Sequence, residues 1–301
     1  MAKSFVGITG TTSVGKSAVA VELAKLCGAE ILSADSMQVY KHMDVGTAKV
    51  TEEEKQGVVH HMLDVLLPNQ DYSSFLYQQQ ASEIIDGLDV PPIVVGGTGF
   101  YFDSLLFPPE FENADENLRQ TLKEKLQKEG LQSLQQMLLE MDEETYRQID
   151  VCNPVRVLRA LEIASTGKSK SGGTHKERKP KYDAKIFVLQ RNRQDLYEQI
   201  DKRVDQMMQN GLLEEVERLV SMFGFVENSA FSAIGYKEII EFLQGKCTLE
   251  QAVDKIKINT RHYAKRQISY FKRFCVSEFI DVDGKDPKDI ARYIFEKYLQ
   301  K

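Results

Sequence analysis

The sequence predicts an α/β protein in which helices cover both faces of a parallel β-sheet, with an all-helical domain inserted into that core. Three observations support this fold class. Short apolar strands alternate with helical patterns in the N-terminal third, a glycine-rich loop joins the first strand to the first helix, and a long middle segment has helical periodicity without strands. Alternation of strands and helices is typical of parallel sheets that are buried on both faces.

The N-terminal elements follow one another at short intervals. Residues 3–9 form an apolar, β-rich run that ends in a glycine turn, and residues 17–27 have apolar side chains at helical spacing. Residues 30–34 are predicted as the second strand and residues 75–88 as a helix. Residues 92–95 are fully apolar and lead into two glycines, as expected of a third, buried strand.

The middle of the chain has a different pattern. Residues 113–166 contain charged helices with leucines at helical spacing, and residues 167–180 are rich in Gly, Ser and Lys, which predicts a mobile basic loop. A buried strand at 185–190 resumes the core, and helices follow at 195–209, 212–222, 236–243 and 249–274. The predicted organisation is a core in two parts, 1–112 and 185–301, with a helical insertion at 113–184.

The basic residues are clustered, although the formal net charge is −6. Residues 168–193 contain nine Lys or Arg against two acids, and residues 255–273 contain seven against none. Binding of nucleic acid depends on local clusters of this kind rather than on total charge. The composition therefore permits nucleic-acid binding at two basic patches.

The cysteines and the N-terminus favour a protein that stays inside the cell. Cys27, Cys152, Cys247 and Cys275 have no close pairing and no histidine at metal-ligand spacing, as expected of free thiols in a reducing compartment. The apolar run at residues 5–8 is too short for a signal peptide, and no apolar stretch approaches membrane-spanning length. We expect a soluble, cytoplasmic monomer.

The glycine-rich loop matches the phosphate-binding pattern G-x-x-x-x-G-K-[ST] between a predicted strand and a predicted helix. Its residues are Gly10, Thr11, Thr12, Ser13, Val14, Gly15, Lys16 and Ser17. In such a loop, backbone N–H groups surround phosphate oxygens, the lysine adds a positive charge, and the serine hydroxyl reaches Mg²⁺. We therefore expect a P-loop NTPase-like core. The loop does not distinguish a kinase, an NTPase or a transferase that uses a diphosphate.

Asp35 follows the second predicted strand, at the edge where open α/β sheets hold their ligands. A carboxylate at this place serves Mg²⁺, accepts a proton or caps the following turn. The adjacent His60 and His61 have diverging side chains and no third ligand nearby in the sequence, so we interpret them as structural residues rather than metal ligands.

Several longer motifs occur in a fixed order along the chain. They are residues 35–40 (DSMQVY), 43–49 (MDVGTAK), 60–64 (HHMLD), 96–101 (GGTGFY), 153–162 (NPVRVLRALE), 234–238 (IGYKE) and 260–267 (TRHYAKRQ). Together with the phosphate loop, this set resembles the tRNA dimethylallyltransferase family over residues 10–271. The resemblance is to the shorter, bacterial-type members because the chain has no Cys/His zinc module. Tyr270, where the family usually has Trp, and the variant residues 11–14 remove no group that the chemistry requires.

The resemblance implies transfer of a dimethylallyl group from dimethylallyl diphosphate to N6 of the adenosine immediately 3′ of the anticodon. Positive groups around the departing oxygens lower the barrier to such a reaction. The resemblance assigns this role to Lys16, to Ser17 with Mg²⁺, and to Arg203, whose planar guanidinium suits two phosphate oxygens. Asp35 is expected to accept the proton that N6 loses. Without the resemblance, Arg203 would be interpreted as a solvated helix residue.

The resemblance also implies that the chain holds the anticodon stem-loop of tRNA. Gln38 and Thr98 are expected to form hydrogen bonds to the extracted adenine. The full set of expected tRNA contacts is Asp35, Ser36, Met37, Gln38, Thr98, Arg119, Val155, Arg156, Val157, Leu158 and Arg159. For the arginines, the alternative is a set of salt bridges on helix surfaces. The helical insertion, the basic loop and residues 255–273 are expected to face the RNA phosphates.

Two other classes of function are compatible with a phosphate loop. A small-molecule or nucleotide kinase would transfer a phosphoryl group from ATP. A non-catalytic RNA-binding protein that senses a nucleotide would bind tRNA without modifying it. Prenylation of a free nucleotide fits less well, because the large helical insertion would then have no purpose.

Overall fold

The computed structural model describes residues 3–108, 116–166, 179–274 and 277–300. Within these residues the strands are β1 (Ser4–Gly10), β2 (Ile31–Ser33), β3 (His60–His61), β4 (Ile93–Val95), β5 (Asp183–Gln190) and β6 (Glu278–Asp281). They form one sheet in the order β3-β2-β4-β1-β5-β6, and every pair of neighbours is parallel. The predicted parallel α/β fold is confirmed.

The chain divides into two compact units. Residues 1–106 and 181–301 form the core unit, and residues 107–180 form the helical unit. In chain order the described helices are α1 (Lys16–Cys27), α2 (Glu52–Lys55), α3 (Ser74–Gly87), α4 (Gly99–Leu106), α5 (Glu116–Glu129), α6 (Leu131–Met141), α7 (Glu143–Gln148), α8 (Pro154–Ala164), α9 (Arg193–Gln209), α10 (Leu212–Phe223), α11 (Tyr236–Leu243), α12 (Leu249–Phe271) and α13 (Pro287–Ile294), followed by a π-helical turn (Phe295–Leu299). Helices α5 to α8 belong to the helical unit.

Helices α1 and α13 cover one face of the sheet. Val6 and Ile8, which alternate along β1, point to this face and pack with Val19 and Leu23 of α1 and with Ile290 of α13. All five side chains are buried. This packing holds the N-terminal end of α1 at the carboxyl edge of the sheet, beside the end of β1.

Helices α4 and α12 lie on the opposite face. Phe102 of α4 and Phe271 of α12 are buried and meet edge to face, with ring centroids 6.2 Å apart. Phe5 of β1, which points to the same side, meets Tyr182 in a similar edge-to-face contact at 6.0 Å. Because helices cover both faces, the central strands contain continuous buried runs, as in β4 and at residues 5–10 of β1 and 186–189 of β5.

A second apolar cluster of the core unit joins the segment after β2 to the C-terminal helices. Tyr40 and Met43 pack there with Val204 of α9, Val216 of α10 and Tyr236 of α11. The cluster fixes the segment after β2 against α9, α10 and α11. It therefore brings residues that are far apart in the sequence to one edge of the sheet.

The described part of the helical unit contains α5 to α8, packed around Leu122, Leu134, Leu138 and Leu161. Asn153 caps α8 by accepting hydrogen bonds from the first backbone N–H groups, and Pro154 occupies the first turn. Residues 113 and 167–178, which include the start of the predicted insertion and most of the predicted basic loop, lie outside the described residues. Strand β5 begins at Asp183, so the predicted limit of the insertion at residue 184 falls inside it.

The described cysteines, Cys27, Cys152 and Cys247, are free thiols, and Cys275 lies outside the described residues. Across the described part of the chain, no helix combines the length and the apolar character that crossing a lipid bilayer requires.

Candidate active site

The phosphate loop connects β1 to α1 at the carboxyl edge of the sheet. Gly10 has a φ of 139°, and a Cβ at this position would lie 2.3 Å from the carbonyl oxygen of Leu189. Gly15, immediately before α1, has a φ of 96°. Glycine adopts such conformations without the steric cost that other residues meet. The loop therefore turns sharply and presents the N-terminal N–H groups of α1 to the end of the sheet.

Lys16 begins α1, and its ammonium group donates a hydrogen bond to the Thr11 carbonyl oxygen at 2.7 Å. Burial is the main reason that the pKa of Lys16 falls to about 8. The positive charge of Arg203 lowers this pKa as well, whereas the carboxylate of Asp35 raises it. Two cations that oppose each other in this way favour binding of an anion between them.

Arg203 projects from α9 toward the segment that follows β2. Its Nη2 donates a hydrogen bond to the Thr47 carbonyl oxygen at 3.3 Å, and its buried Nε has no hydrogen-bond partner among the described residues. Burial lowers the pKa of Arg203, and Asp35 opposes this shift. The guanidinium is therefore anchored to the Thr47 carbonyl oxygen, and its positive charge is buried beside Asp35.

Asp35 lies two residues beyond β2, and its Oδ1 accepts a hydrogen bond from the Met37 backbone N–H at 2.9 Å. The turn-capping role that the sequence allowed is thus present. It does not exclude a chemical role, because Asp35 lies near enough to Lys16 and Arg203 to raise the pKa of both. One carboxylate therefore faces two cations at the end of the sheet.

Thr98 and Gln38, the two side chains expected to form hydrogen bonds to the adenine, both form hydrogen bonds within the protein. The Thr98 hydroxyl accepts a hydrogen bond from the Ser36 N–H at 3.1 Å and donates one to the Ser36 hydroxyl at 3.3 Å. The Gln38 amide nitrogen lies 3.4 Å from the Ala48 carbonyl oxygen, a long hydrogen bond. Thr98 thus ties the segment after β4 to the segment after β2.

Gln267, for which sequence reasoning gave no role, bridges the phosphate loop and the end of β4. Its Oε1 accepts a hydrogen bond from the Thr12 N–H at 2.8 Å, and its Nε2 donates one to the Gly97 carbonyl oxygen at 2.9 Å. The side chain is buried on α12. Its place at the end of the TRHYAKRQ motif was the available signal.

Glu215 is a second residue that sequence reasoning missed. Its buried carboxylate on α10 accepts hydrogen bonds from the N–H groups of Asp44, Val45 and Gly46 at 2.8–3.0 Å. It also accepts one from the Tyr236 hydroxyl at 2.7 Å. These four bonds fix residues 44–47, whose last carbonyl oxygen binds Arg203. We call Glu215 and Tyr236 the loop clamp.

A cavity of about 400 Å³ opens between these groups. Its polar wall contains Thr12, Lys16, Ser17, Asp35, Ser36, Gln38 and Arg203, and its less polar wall contains Met37, Val50, Leu63, Val204, Met207 and Ile234. Tyr263, Arg266 and Gln267 of α12 line it as well. Most of the core-unit residues predicted for the site are therefore together in one place. Thr11 and Val14 are buried.

His60 and His61 form the short edge strand β3 and pair with β2. Among the described residues, no group of three or more His, Cys, Asp and Glu side chains is placed to hold a metal ion. The His60 Nδ1 lies 2.9 Å from the Val58 carbonyl oxygen, and burial lowers the pKa of this histidine. Their role in this structure is to extend the sheet.

The other predicted contacts lie in the helical unit. Arg119 Nε and Arg159 Nη1 are 3.0 Å and 2.8 Å from the two oxygens of Glu162, whose side chain is 2% exposed. Arg119 and Arg159 therefore form salt bridges within the helical unit, which is the alternative that the sequence left open for these arginines. Arg156 is more exposed, and its nearest acid, Asp150, is 3.9 Å away. Val155 is exposed, Leu158 is partly buried, and Val157 lies in the core of the unit.

Comparisons with known proteins place this site in a family. Residues 38–274 match the family described as IPP transferase, and residues 4–65 match isopentenyl transferase. The chain is 42% identical to a tRNA dimethylallyltransferase of Clostridioides difficile, over 92% of this chain and 91% of that protein. It is 41% identical to one of Caldanaerobacter subterraneus, over 98% of both chains.

Solved structures agree with the sequence relatives. A tRNA isopentenylpyrophosphate transferase from Bacillus halodurans is 35% identical with a TM-score of 0.72, covering 98% of this chain and 96% of that one. A eukaryotic dimethylallyltransferase acting on tRNA is 29% identical with a TM-score of 0.81, covering 97% of this chain and 76% of that one. The phosphate loop, the site beside it and the similarity along nearly the whole chain lead to one conclusion: this protein belongs to the IPP transferase family.

Proposed function

We propose that this protein transfers the dimethylallyl group of dimethylallyl diphosphate to N6 of the adenosine 3′-adjacent to the anticodon in tRNA, releasing diphosphate. The observation that carries the proposal is the cavity in which Lys16 and Arg203 face Asp35. Relatives over nearly the full chain are named tRNA dimethylallyltransferases. The reaction needs cations for a leaving diphosphate and a carboxylate for a departing proton, and the cavity offers both.

The leaving diphosphate binds beside the phosphate loop. As the bond between the allylic carbon and the diphosphate oxygen breaks, its electron pair goes to that oxygen, and positive charge develops on carbon. Lys16, Arg203 and the N–H groups at the start of α1 lie where they stabilise the diphosphate anion. Arg203 contributes the positive charge of its guanidinium, and the low pKa of Lys16 is raised once the anion is bound.

Mg²⁺ fits this site as a cofactor. The Ser17 hydroxyl and the Asp35 carboxylate line the same cavity and supply the oxygen donors that Mg²⁺ prefers. Mg²⁺ commonly binds through one or two protein groups and substrate phosphates rather than in an all-protein cage. Ser17 would hold the ion. When bound, the ion neutralises charge on the diphosphate.

The nucleophile is the exocyclic nitrogen of adenine. N6 attacks the allylic carbon, the new N–C bond forms, and N6 loses one proton, for which Asp35 is the acceptor. Met37, Val204 and Met207, which line the cavity, provide apolar surface for the dimethylallyl group.

The RNA is held by basic residues outside the cavity. Of the tRNA contacts predicted in the helical unit, we keep Arg119, Val155, Arg156, Leu158 and Arg159, of which Arg156 has its charge most available, whereas the side chain of Val157 is buried. Residues 255–273 of the core unit add seven basic residues without an acid. We further propose that the protein acts as a monomer in the cytoplasm, where tRNA is found.

Tracing two radiolabels separates the candidate functions. The protein is incubated with tRNA, Mg²⁺ and either dimethylallyl diphosphate labelled in the allyl group or ATP labelled in the γ-phosphate. The proposal predicts that the allyl label enters RNA and that the ATP label does not transfer. Transfer of the ATP label would favour the kinase, and tRNA binding without transfer of either label would favour the sensor.

A further inference from the structure

A group of three aromatic rings, one exposed and two partly buried, lies at the start of α4 and the end of α12. It consists of Phe100, Tyr270 and Phe274, here called the aromatic patch. Phe100 is 68% exposed, and its ring meets Tyr270 edge to face with centroids 5.3 Å apart. Tyr270 in turn stacks on Phe274, at 6.1 Å and an interplanar angle of 29°. Rings ordered by one another in this way offer a rigid apolar face to a ligand.

The aromatic patch continues the wall of the cavity. Arg266 and Gln267 of α12 line the cavity, and Tyr270 follows them at the three- and four-residue spacing that places side chains on one helix face. On the other side, Phe100 comes two residues after Thr98, which is hydrogen-bonded to Ser36 in the cavity wall. A molecule that enters the cavity from this end therefore passes the patch.

The charge around the aromatic patch favours a polyanion. Lys265, Arg266, Lys272 and Arg273 are exposed on α12 or directly after it, within a segment that contains no acid. Exposed aromatic rings among basic side chains are the arrangement that binds single-stranded nucleic acid, because bases stack on the rings while the cations meet the phosphates. An apolar protein partner would not need this charge.

We propose that the aromatic patch is a stacking site for an unpaired base of the anticodon loop, next to the adenosine that occupies the cavity. The inference rests on the proposed function, since it takes tRNA as the substrate. Extraction of one nucleotide from a stack leaves the faces of its neighbours uncovered. Phe100 would cover one such face, and it would do so for any base because every base has a π-face.

A tryptophan in place of Phe100 tests this contact directly. The chain contains no Trp, so Phe100→Trp creates a single fluorophore at the proposed site. Titration with an unmodified tRNA transcript should quench this fluorescence. Phe225 is 55% exposed elsewhere in the core unit, and Phe225→Trp, as the matched control, should keep its fluorescence. An unquenched Phe100→Trp protein at saturating tRNA would overturn the proposal.

Measurements of tRNA affinity at several salt concentrations distinguish a contribution of base stacking from one of charge. Phe100→Ala should weaken tRNA affinity about 5- to 150-fold at every salt concentration, since base stacking on an aromatic side chain is typically worth about 1–3 kcal/mol. The slope of affinity against salt should stay as in the wild type, because no counterion is released by the ring. If Phe100→Ala binds tRNA with wild-type affinity, the proposal that the aromatic patch stacks on a base is wrong. Absence of transfer by the wild-type protein would instead sink the proposed function, so the two failures are separate.

Discussion

At the scale of single residues, the site depends on two cations that share one anion-binding place. Burial lowers the pKa of both Lys16 and Arg203, the charge of Arg203 lowers the pKa of Lys16 further, and Asp35 opposes the shift in both. Sequence reasoning alone assigned the lysine, since a phosphate loop requires it. It assigned Arg203 only through family resemblance, because an arginine on a charged helix usually faces water.

The pKa of Lys16 leads to a pH prediction. Only the charged lysine attracts a diphosphate, so kcat/KM for dimethylallyl diphosphate should fall as pH rises above about 8. The decline should approach about tenfold per pH unit if Lys16 is the titrating group. Lys16→Arg keeps its charge at these pH values and should remove the decline, although its maximum rate is lower. The same decline in Lys16→Arg would assign the titration to another group.

Lys16→Ala separates the two substrates. Its transfer rate should fall roughly 10²–10³-fold because a preorganised charge at the leaving group is lost. Its tRNA affinity, measured by filter binding, should stay near the wild-type value, since Lys16 meets the diphosphate. An equal loss of RNA affinity would contradict the placement of Lys16.

Asp35 has two possible roles that one variant distinguishes. Asp35→Asn keeps the shape and the acceptor for the Met37 N–H but does not accept a proton, so turnover should fall roughly 10²–10⁴-fold at saturating tRNA and Mg²⁺. Diphosphate affinity should change little. Recovery of most activity at high Mg²⁺ would move Asp35 to a role as a water-mediated metal partner.

At the scale of elements, the helices of the core and the fully buried strands were predicted closely, whereas two edge strands were missed. Residues 236–243 were predicted as a helix and form α11, because apolar periodicity marks a helix of two turns or more. β3 and β6 lack the continuous apolar run that identified the three-residue strands β2 and β4, since both residues of β3 are histidines and β6 begins and ends with an acid. The loop clamp was missed for a related reason, since nothing local to Glu215 reveals that it pairs with residues 170 positions away.

Two variants that remove different numbers of hydrogen bonds test the loop clamp. Glu215→Ala removes the acceptor of three partly buried N–H groups and of the buried Tyr236 hydroxyl, and should lower the free energy of unfolding by about 3 kcal/mol. Tyr236→Phe removes one bond, should cost about 1–2 kcal/mol, and should raise KM for the diphosphate because Thr47 no longer holds Arg203 firmly. Glu217→Ala, at an exposed position of α10, is the control. If Tyr236→Phe folds stably and its KM for the diphosphate is unchanged, the loop clamp contributes to folding and does not position Arg203.

Among the arginines of the helical unit, Arg156 gives the cleanest test of RNA contact. Charge reversal at Arg159 would place a carboxylate beside the buried Glu162 and disturb folding. Arg156→Gln should weaken tRNA binding and reduce its salt slope by about 0.7 to 0.9, as expected for one lost phosphate contact. Arg147→Gln, at a more exposed site on α7, should leave the slope unchanged. An unchanged slope in Arg156→Gln would remove this residue from the interface.

At the scale of the whole molecule, the parallel α/β fold followed from the sequence because apolar strands, the glycine turn and helical periodicity all agree. The sequence also predicted that Lys16 and Asp35 lie at one edge, since each follows a strand of a parallel sheet; in the structure these strands, β1 and β2, flank β4. The contribution of α12 did not follow. Gln267 reaches Thr12 across 255 positions of sequence, and only the folded chain brings the two together.

The central claim is that this protein makes a new N–C bond on one adenosine of tRNA. Mass spectrometry of anticodon-loop fragments, after incubation with unmodified tRNA, dimethylallyl diphosphate and Mg²⁺, measures this directly. The account predicts that the adenosine 3′ of the anticodon gains one dimethylallyl group in place of a hydrogen, with the wild-type protein and only weakly with Asp35→Asn. An unmodified adenosine under conditions in which both substrates bind would contradict it.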